Sequence, residues 1–512
     1  MAPHAIGKAA EAENLEEIAL QDATAEDPRN PAISQIVACL TSLEPLRPDV
    51  VRAVPAYVPL RAAGRILRRI GAEDKAGNYA KSSPTLKISE FWSHSWHGAV
   101  WSKVLMLLVM NNGLASLCVG TLGGALLVSA FWAFGPAQDP GDPLDAMLAT
   151  LLFSLMCCAL TLIFWRRGQS VFMDQLCIHQ ADMALKTAGL ISMPAILKCS
   201  STMVVCWDST YVQRAWCVFE MAAFMKAHGE DAKLVIRPTF LGPCSMAFHA
   251  GLAGIMAVNL ATFYFATDLD TSAMSMLRLA LILLGITGFM FVAVSSFRKY
   301  HMSVKEMVEQ LRDFSVHDAV ACCCTQGHLD SSGNPIPLCD KEIILECILS
   351  WFGSVEVFNQ RVQKQMQSAL VPQLGHLSFS YSWMAACSIP VFWTYMARFM
   401  YFAFEGAWSD CLQAFFFTLA WWLGATPIMA MSILSVSRAL ARRRSLCCSL
   451  LTNLLASWVV LPIYIGIELW MRVCYSLQPG LPGVSISAGS LIVLALLLAA
   501  LMSWCARRAE TS

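Results

Sequence analysis

The chain has 512 residues, of which 56% are Ala, Val, Ile, Leu, Met, Phe, Trp, Tyr or Cys and only 14% are charged. Ordinary globular domains carry about 25% charged residues, so this composition excludes a fully water-exposed enzyme as well as collagen-like, disulfide-scaffold and wholly disordered chains. Thirty-six Lys plus Arg offset thirty-six Asp plus Glu, leaving no overall basic field, so nucleic acid is not expected as a partner.

Residues 1–80 read as a largely disordered N-terminal segment. Residues 1–31 are polar and rich in Ala and Glu, and no basic-then-apolar leader precedes them. Within 57–70 (YVPLRAAGRILRRI), Arg61, Arg65, Arg68 and Arg69 alternate with Leu60, Ile66, Leu67 and Ile70. That spacing predicts a short basic amphipathic helix, lying either on anionic lipid or on its own domain. Residues 85–112 supply a strand (LKISEFWSHSW, 86–96) and a helix from about Ser102 to Asn112.

A membrane helix needs roughly 20 mostly apolar residues, and eight such runs follow in four pairs. They lie at about 113–134 and 145–165, 244–266 and 272–297, 383–404 and 411–435, and 446–471 and 484–505. The hairpins therefore occupy 113–165, 244–297, 383–435 and 446–505, with a tail at 506–512. Charge placement tests this map separately. Thirty-three of the 36 basic residues fall in 1–112, 166–243, 298–382, 436–445 and 506–512. The opposite loops hold Asp139, Asp142, Asp145, Asp268, Asp270, Glu405 and Asp410 against one Arg472. Basic residues gather on the cytosolic side of short loops, so both termini and all large segments are expected in the cytosol.

Arg278, Arg398 and Glu468 lie inside predicted spans, each within about two turns of the outer end, where long side chains snorkel. His249 reads as an inter-helix hydrogen-bonding residue. Gly120 and Gly124 form a GxxxG, a pattern frequent by chance. Twenty cysteines without secreted-domain spacing suggest reduced thiols.

Residues 168–240 change character. SVFMD (170–174), MVVCW (203–207) and KLVIRPTF (233–240) read as strands; helix-compatible stretches lie at about 180–198 and 211–228. That alternation indicates a parallel sheet with crossovers. Asp208, Ser209 and Thr210 are candidate caps for the second helix, on which Trp216 and Glu220 are four apart and share a face. Residues 298–382 read as a helical segment, with helices at 304–314 and 339–367. Between them stand Cys322, Cys323, Cys324, His328 and Cys339. Three adjacent cysteines do not fit one tetrahedral ion comfortably and the spacing matches no standard pattern, so no metal is expected.

FWSHSW (91–96), VFMD (171–174) and AILKCSSTMVVCWDSTYVQRAWCVFE (195–220) together resemble the strand and motif order of a TIR domain. They resemble most the divergent TIR-like, multi-pass membrane group abundant in dinoflagellate algae. The resemblance covers about a hundred residues in two pieces, and WCVFE is its most specific part. It implies a flavodoxin-like parallel sheet and self-association through the TIR-like domain. For TIR domains that cleave NAD+, it also implies a catalytic glutamate matching Glu220. A fixed carboxylate there would stabilise oxocarbenium-like charge on the ribose. Ser93, His94, Trp96, Asp174, Trp216 and Cys217 would then form or support the NAD+ pocket. NAD+ enters as a substrate; no bound cofactor is expected. The sequence departs from the family by inserting a membrane hairpin between the first two parallel strands.

The expectation is thus a polytopic α-helical membrane protein of about eight spans in four hairpins, with a small split α/β TIR-like cytosolic domain. Its partners would be the lipid bilayer and further copies of itself, through that domain or the spans. Its function would be signalling or assembly; NAD+ hydrolysis by Glu220 and transport through the spans stand as alternatives.

Overall fold

The computed structural model describes residues 31–68, 75–134, 143–266, 272–329, 333–376, 380–442 and 445–511. Residues 1–30, on which the expectation of disorder mainly falls, lie outside this set, as do Arg69, Ile70, Asp139, Asp142, Asp268, Asp270 and the Arg278 side chain. From Pro31 the chain is folded, beginning with the helix Pro31–Thr41. It divides into two compact units. Among the described residues, the first comprises those up to Leu107, Arg166–Thr239 and Lys305–Leu370, the second Leu108–Trp165, Phe240–Val304 and those from Val371 onward.

The first unit is built on six strands: β1 Arg52–Pro55, β2 Ser83–Pro84, β3 Ile88–His94, β4 Ser170–Phe172, β5 Ser200–Trp207 and β6 Leu234–Pro238. They lie in the order β2-β1-β4-β3-β5-β6, with β4, β3, β5 and β6 parallel and β1 and β2 antiparallel at one edge. All four strands read from the sequence are present. β1 and β2 are additions, too short and too proline-marked to signal themselves by alternation. A parallel strand covered on both faces reads as a near-continuous apolar run. Met203, Val204, Val205, Cys206 and Trp207 of β5 are accordingly all buried, as are Phe91 and Trp92 of β3. Phe91 stacks on Phe172 of β4 at 4.7 Å between centroids. Each such ring contributes roughly 2–3 kcal/mol by leaving water.

Four local readings change. The stretch Tyr57–Arg68 is not one amphipathic helix, because Arg61 is extended and Ala62, Ala63 and Gly64 take left-handed angles, breaking it. The break seats Leu60 and Leu67 in the core, and Gly64 admits Val104, whose methyl would lie 2.5 Å from a Cβ there. The helix expected from residue 211 begins at Ala215, with Arg214 at its cap. Asp208 instead accepts from the Thr210 backbone N–H at 2.9 Å and closes a turn before it. The single helix expected over 339–367 is two, Asp340–Phe352 and Val355–His376, separated at Gly353 with φ +80, a left-handed helix end that glycine adopts without strain.

The fourth change is the largest. Residues 305–370 are not a separate segment but part of the sheet unit. Val320 exchanges backbone hydrogen bonds with Gln213 and Ala215 at 2.8 and 3.2 Å. Lys226 donates to the Trp351 carbonyl at 3.0 Å, and Phe219 stacks on Trp351 at 5.6 Å.

The second unit is helical. Six described helices are long and apolar enough to cross a membrane: Val100–Phe134, Leu144–Phe164, Leu241–Ala261, Trp408–Ala439, Leu446–Leu477 and Leu481–Cys505. Val100–Phe134 merges the expected 102–112 helix with the first span, its opening turns belonging to the sheet unit. The run 383–404 is split at Ser388, just before Pro390, into Tyr381–Cys387 and Ile389–Phe404. The run 272–297 forms the first part of a 41-residue helix, Ser272–Arg312.

Gly120 and Gly124 are a working contact face. A Cβ on Gly120 would lie 2.9 Å from both the Ser154 carbonyl and Trp393, and one on Gly124 would strike Ser154 and Met396. Close helix approach through small residues is the expected membrane solution. Asn112 donates to the Leu162 carbonyl at 2.9 Å, and Trp393 to Thr121 at 2.9 Å. His249 contacts the Cys387 carbonyl at 3.2 Å, an inter-helix role. Arg398 is exposed, and Glu468 accepts from Tyr464 at 3.4 Å.

Candidate functional site at the carboxyl ends of the parallel strands

The four parallel strands run, in chain order, second, first, third, fourth across the sheet. The connection from β3 to β4 therefore runs to one side of β3 and the connection from β4 to β5 crosses to the other, and the carboxyl ends of β3 and β5 flank a topological switch point. Open α/β sheets place their ligand sites there. The register pairs Ser93 with Val205 and His94 with Cys206, so the two strands deliver their last residues side by side. The helix Ala215–His228 then returns over them, carrying Cys217 and Glu220.

Glu220 is drawn onto β3. Ser93 Oγ donates to Glu220 Oε2 at 2.5 Å, and the Tyr211 hydroxyl lies 2.7 Å from the same Ser93 oxygen. Tyr211 is fully buried, its ring 5.3 Å from Trp207. Burial pushes the Glu220 carboxyl up to about 8, the Ser93 hydrogen bond opposes that rise, and the charge of Asp174 adds to it. The same burial, with Glu220 nearby, drives the Tyr211 and Cys217 groups well above their ordinary ranges. Cys217 Sγ contacts the His94 carbonyl at 3.7 Å. At neutral pH the centre of the cluster is therefore a protonated acid among neutral hydroxyl and thiol groups.

A second group lies beside it. Trp96 Nε1 donates to Asp174 Oδ2 at 2.7 Å, and His94 Nε2 is 3.9 Å from Asp174 Oδ1. His94 is buried and its Nε2 has no hydrogen-bond partner among the described residues, whereas Trp96 is 37% exposed. Of the seven residues singled out from the sequence, six converge: Glu220, Ser93, His94, Trp96, Asp174 and Cys217. Trp216 does not join them through its polar end. Its indole N–H bonds Asp340 Oδ2 at 2.9 Å and its ring meets Phe219 edge-on, so it anchors the 305–370 segment. No ion pair joins Glu220 to Arg214 among the described residues.

The sequence alone marks no site role for Tyr211, Ser95, Asp208, Lys103 or Gly98. Ser95 Oγ bonds Thr210 Oγ1 at 2.7 Å, and the buried Lys103 donates to the Ser95 carbonyl at 2.5 Å. Gly98 passes so close to Asp208 that a Cβ there would strike its carboxylate. Tyr211 stands inside the motif and is legible; the others depend on loop geometry that has no periodic signature. A cavity of about 750 Å³ in this unit opens elsewhere, at the amino-terminal end of β5, lined by Lys198, Cys199, Ser200, Ser201, Lys87 and His228. Comparison with protein-family models, curated proteins and solved structures finds no match to this chain.

Proposed function

We propose that the protein is a multi-pass membrane protein that displays a divergent TIR-like module on the cytosolic face, where the module self-associates for signalling or assembly. One observation carries the choice of assembly over catalysis. The Glu220 carboxyl is tied to Ser93 beside buried Tyr211, with burial raising it to about 8, so at neutral pH it is mostly uncharged. A neutral acid cannot offer the fixed negative charge that an oxocarbenium-like transition state needs. The 2-1-3-4 order of the parallel strands and the seating of the WCVFE helix on the Ser-His-Ser strand support the TIR-like reading. The basic-residue asymmetry supports cytosolic placement of both termini and of the module. The apolar clusters that fill the helical unit, around Val294, Ala420, Ala425 and Ala495 in one and Leu151, Trp393 and Ala397 in the other, favour an anchoring over a transporting role for the spans.

A second reading, NAD+ hydrolysis by Glu220, draws on the switch-point position and on the exposed Trp96 ring held by Asp174, a surface on which a nicotinamide or adenine could stack. One experiment separates the two. The full chain in nanodiscs is assayed for NAD+ consumption and, by cross-linking across a dilution series, for oligomers. The assembly reading expects oligomers in wild type and in Glu220→Gln alike, with NAD+ untouched. A strictly monomeric chain would overturn it, and NAD+ turnover lost in Glu220→Gln would replace it with the second reading.

A further inference from the structure

The cysteines that cluster in the fold are not the three that are adjacent in the sequence. Cys323 and Cys324 sit on the single turn Cys322–Thr325, and their third partner is Cys339, at the cap of the helix Asp340–Phe352. Cys323 Sγ and Cys339 Sγ are 3.9 Å apart, Cys324 Sγ and Cys339 Sγ 3.6 Å, and the three sulfurs all lie within 4.8 Å of one another. Sulfurs bound to one tetrahedral zinc at about 2.3 Å are separated by roughly 3.8 Å. Two of the three edges already have that length.

Burial and the nearby Asp340 charge push the Cys323 thiol up, and two features of the fold oppose that rise. Cys339 stands at the positive end of a 13-residue helix, where a negative sulfur is stabilised. The backbone N–H of Asp340, the first residue of that helix, bonds the Cys323 sulfur. The turn is locked from behind, since His328 N–H donates to the Cys323 carbonyl at 2.8 Å and Ile336 N–H to the His328 carbonyl at 2.8 Å. Cys323 and Cys339 are buried while Cys324 is half-buried, which leaves one side of the triangle toward solvent.

We infer that Cys323, Cys324 and Cys339 form a three-thiolate zinc site whose fourth position is taken by water. On binding, three thiols lose their protons to solvent, three zinc–sulfur bonds form and one water stays on the metal. No electron is transferred, and zinc removes two of the three negative charges that the thiolates would otherwise hold together. The site would pin the turn at 322–325 to the helix that also receives the Trp216 indole on Asp340. Soft sulfur ligands select zinc over magnesium or calcium, and ligation that releases protons strengthens as pH rises.

The test uses the full chain in detergent under reducing conditions, stripped of metal and titrated with cobalt(II) as a spectroscopic substitute for zinc. Wild type is expected to show the visible bands of tetrahedral cobalt with sulfur-to-metal charge transfer, both displaced by one equivalent of zinc. Cys339→Ser and Cys324→Ser should bind at least 100-fold more weakly, and Cys322→Ser should bind as wild type. Should the variants fail to fold, alkylation of the wild-type chain still decides. Zinc is expected to protect Cys323, Cys324 and Cys339 while Cys322, exposed on the same turn, stays reactive. Absence of the cobalt bands in wild type, their persistence in Cys339→Ser, equal labelling of all four cysteines with and without zinc, or a Cys324–Cys339 disulfide in the reduced preparation would each overturn the assignment.

Discussion

Glu220 in the sheet unit, half-buried, and Arg298 in the helical unit, buried, are both ionisable side chains drawn away from water, and they are satisfied in opposite ways. Glu220 meets side chains, Ser93 with Tyr211 behind it, and burial favours its neutral form. Arg298, 3% exposed, keeps its charge and is met largely by backbone. It donates to the carbonyls of Leu440 at 3.1 Å, Ser449 at 3.3 Å and Arg442 at 3.4 Å, and to the side chains of Ser449 and Asn453. Leu440 caps the helix Thr426–Ala439, and Ser449 lies in the first turns of the helix Leu446–Ser457. A guanidinium presents five donors in a fixed fork and cannot shed its proton, so it can tie carbonyls at the end of one helix to the start of the next. A carboxylic acid can neutralise itself instead. An ionisable group drawn away from water thus gives a clamp between two helices in one unit and a pH-sensitive acid in the other.

The largest effect is expected where the charge cannot adapt. Arg298→Met should destabilise the chain by about 3 kcal/mol or more, because several charge-assisted hydrogen bonds are lost together and the buried Asn453 side chain loses this donor. Arg298→Lys should recover part of that, having three donors and no planar fork. Unfolding of the full chain in mixed detergent measures both. A loss below about 1 kcal/mol for the Met variant would show that the carbonyls find other donors and would remove the contrast with Glu220.

The second test turns on pH. The folded-state value of Glu220 is about 8 against an ordinary 4.5, so between those values the folded chain binds more protons than the unfolded one. Stability should therefore fall as pH rises from about 5 to about 8, and this contribution should be flat outside that window. The fall is on the order of several kcal/mol at most, because each tenfold difference in proton affinity between the folded and unfolded chains is worth about 1.4 kcal/mol. Glu220→Gln resembles the protonated form and should remove this slope, becoming more stable than wild type above pH 8. Thermal unfolding of the two chains at pH 5, 7 and 9 checks the sign. Equal slopes would mean that Glu220 is ionised in the folded protein, which would restore the carboxylate needed for the NAD+ reading.

Legibility follows the same division. The four parallel strands are readable because buried apolar runs and a two-residue period are local properties, and six of the seven marked site residues converge because motif order fixes which strand ends meet. Trp216 shares a helix face with Glu220 by spacing, yet its polar end is claimed by Asp340, a partner from 124 positions away in the chain. Residues 305–370 look separate because a short irregular stretch that pairs through one backbone bridge, Arg214 with Val320, leaves no sequence period. Arg298 reads as one more basic residue of a water-facing segment; nothing local distinguishes a guanidinium facing headgroups from one facing a helix end. The split at Ser388 could be suspected from Pro390, but whether proline kinks, ends or merely opens a helix depends on its neighbours.

The smallest effect is the most diagnostic of how Glu220 is held. Ser93→Ala removes the hydroxyl that donates to Glu220 and contacts Tyr211, and should cost about 1 kcal/mol, the net worth of one buried hydrogen bond. That hydrogen bond also lowers the Glu220 value, so its loss should push the acid further up. Since stability falls with pH until the folded-state value is passed, the declining part of the curve should extend to higher pH in Ser93→Ala than in wild type. In a Glu220→Gln background the same substitution should leave the pH profile unchanged while still lowering stability. A double-mutant cycle run at pH 6 and pH 9 reads the coupling directly, because only an ionisable partner makes the Ser93 contribution depend on pH. If the cycle gives the same coupling at both values, Ser93 holds Tyr211 rather than Glu220, and the buried acid is governed by its apolar surroundings alone.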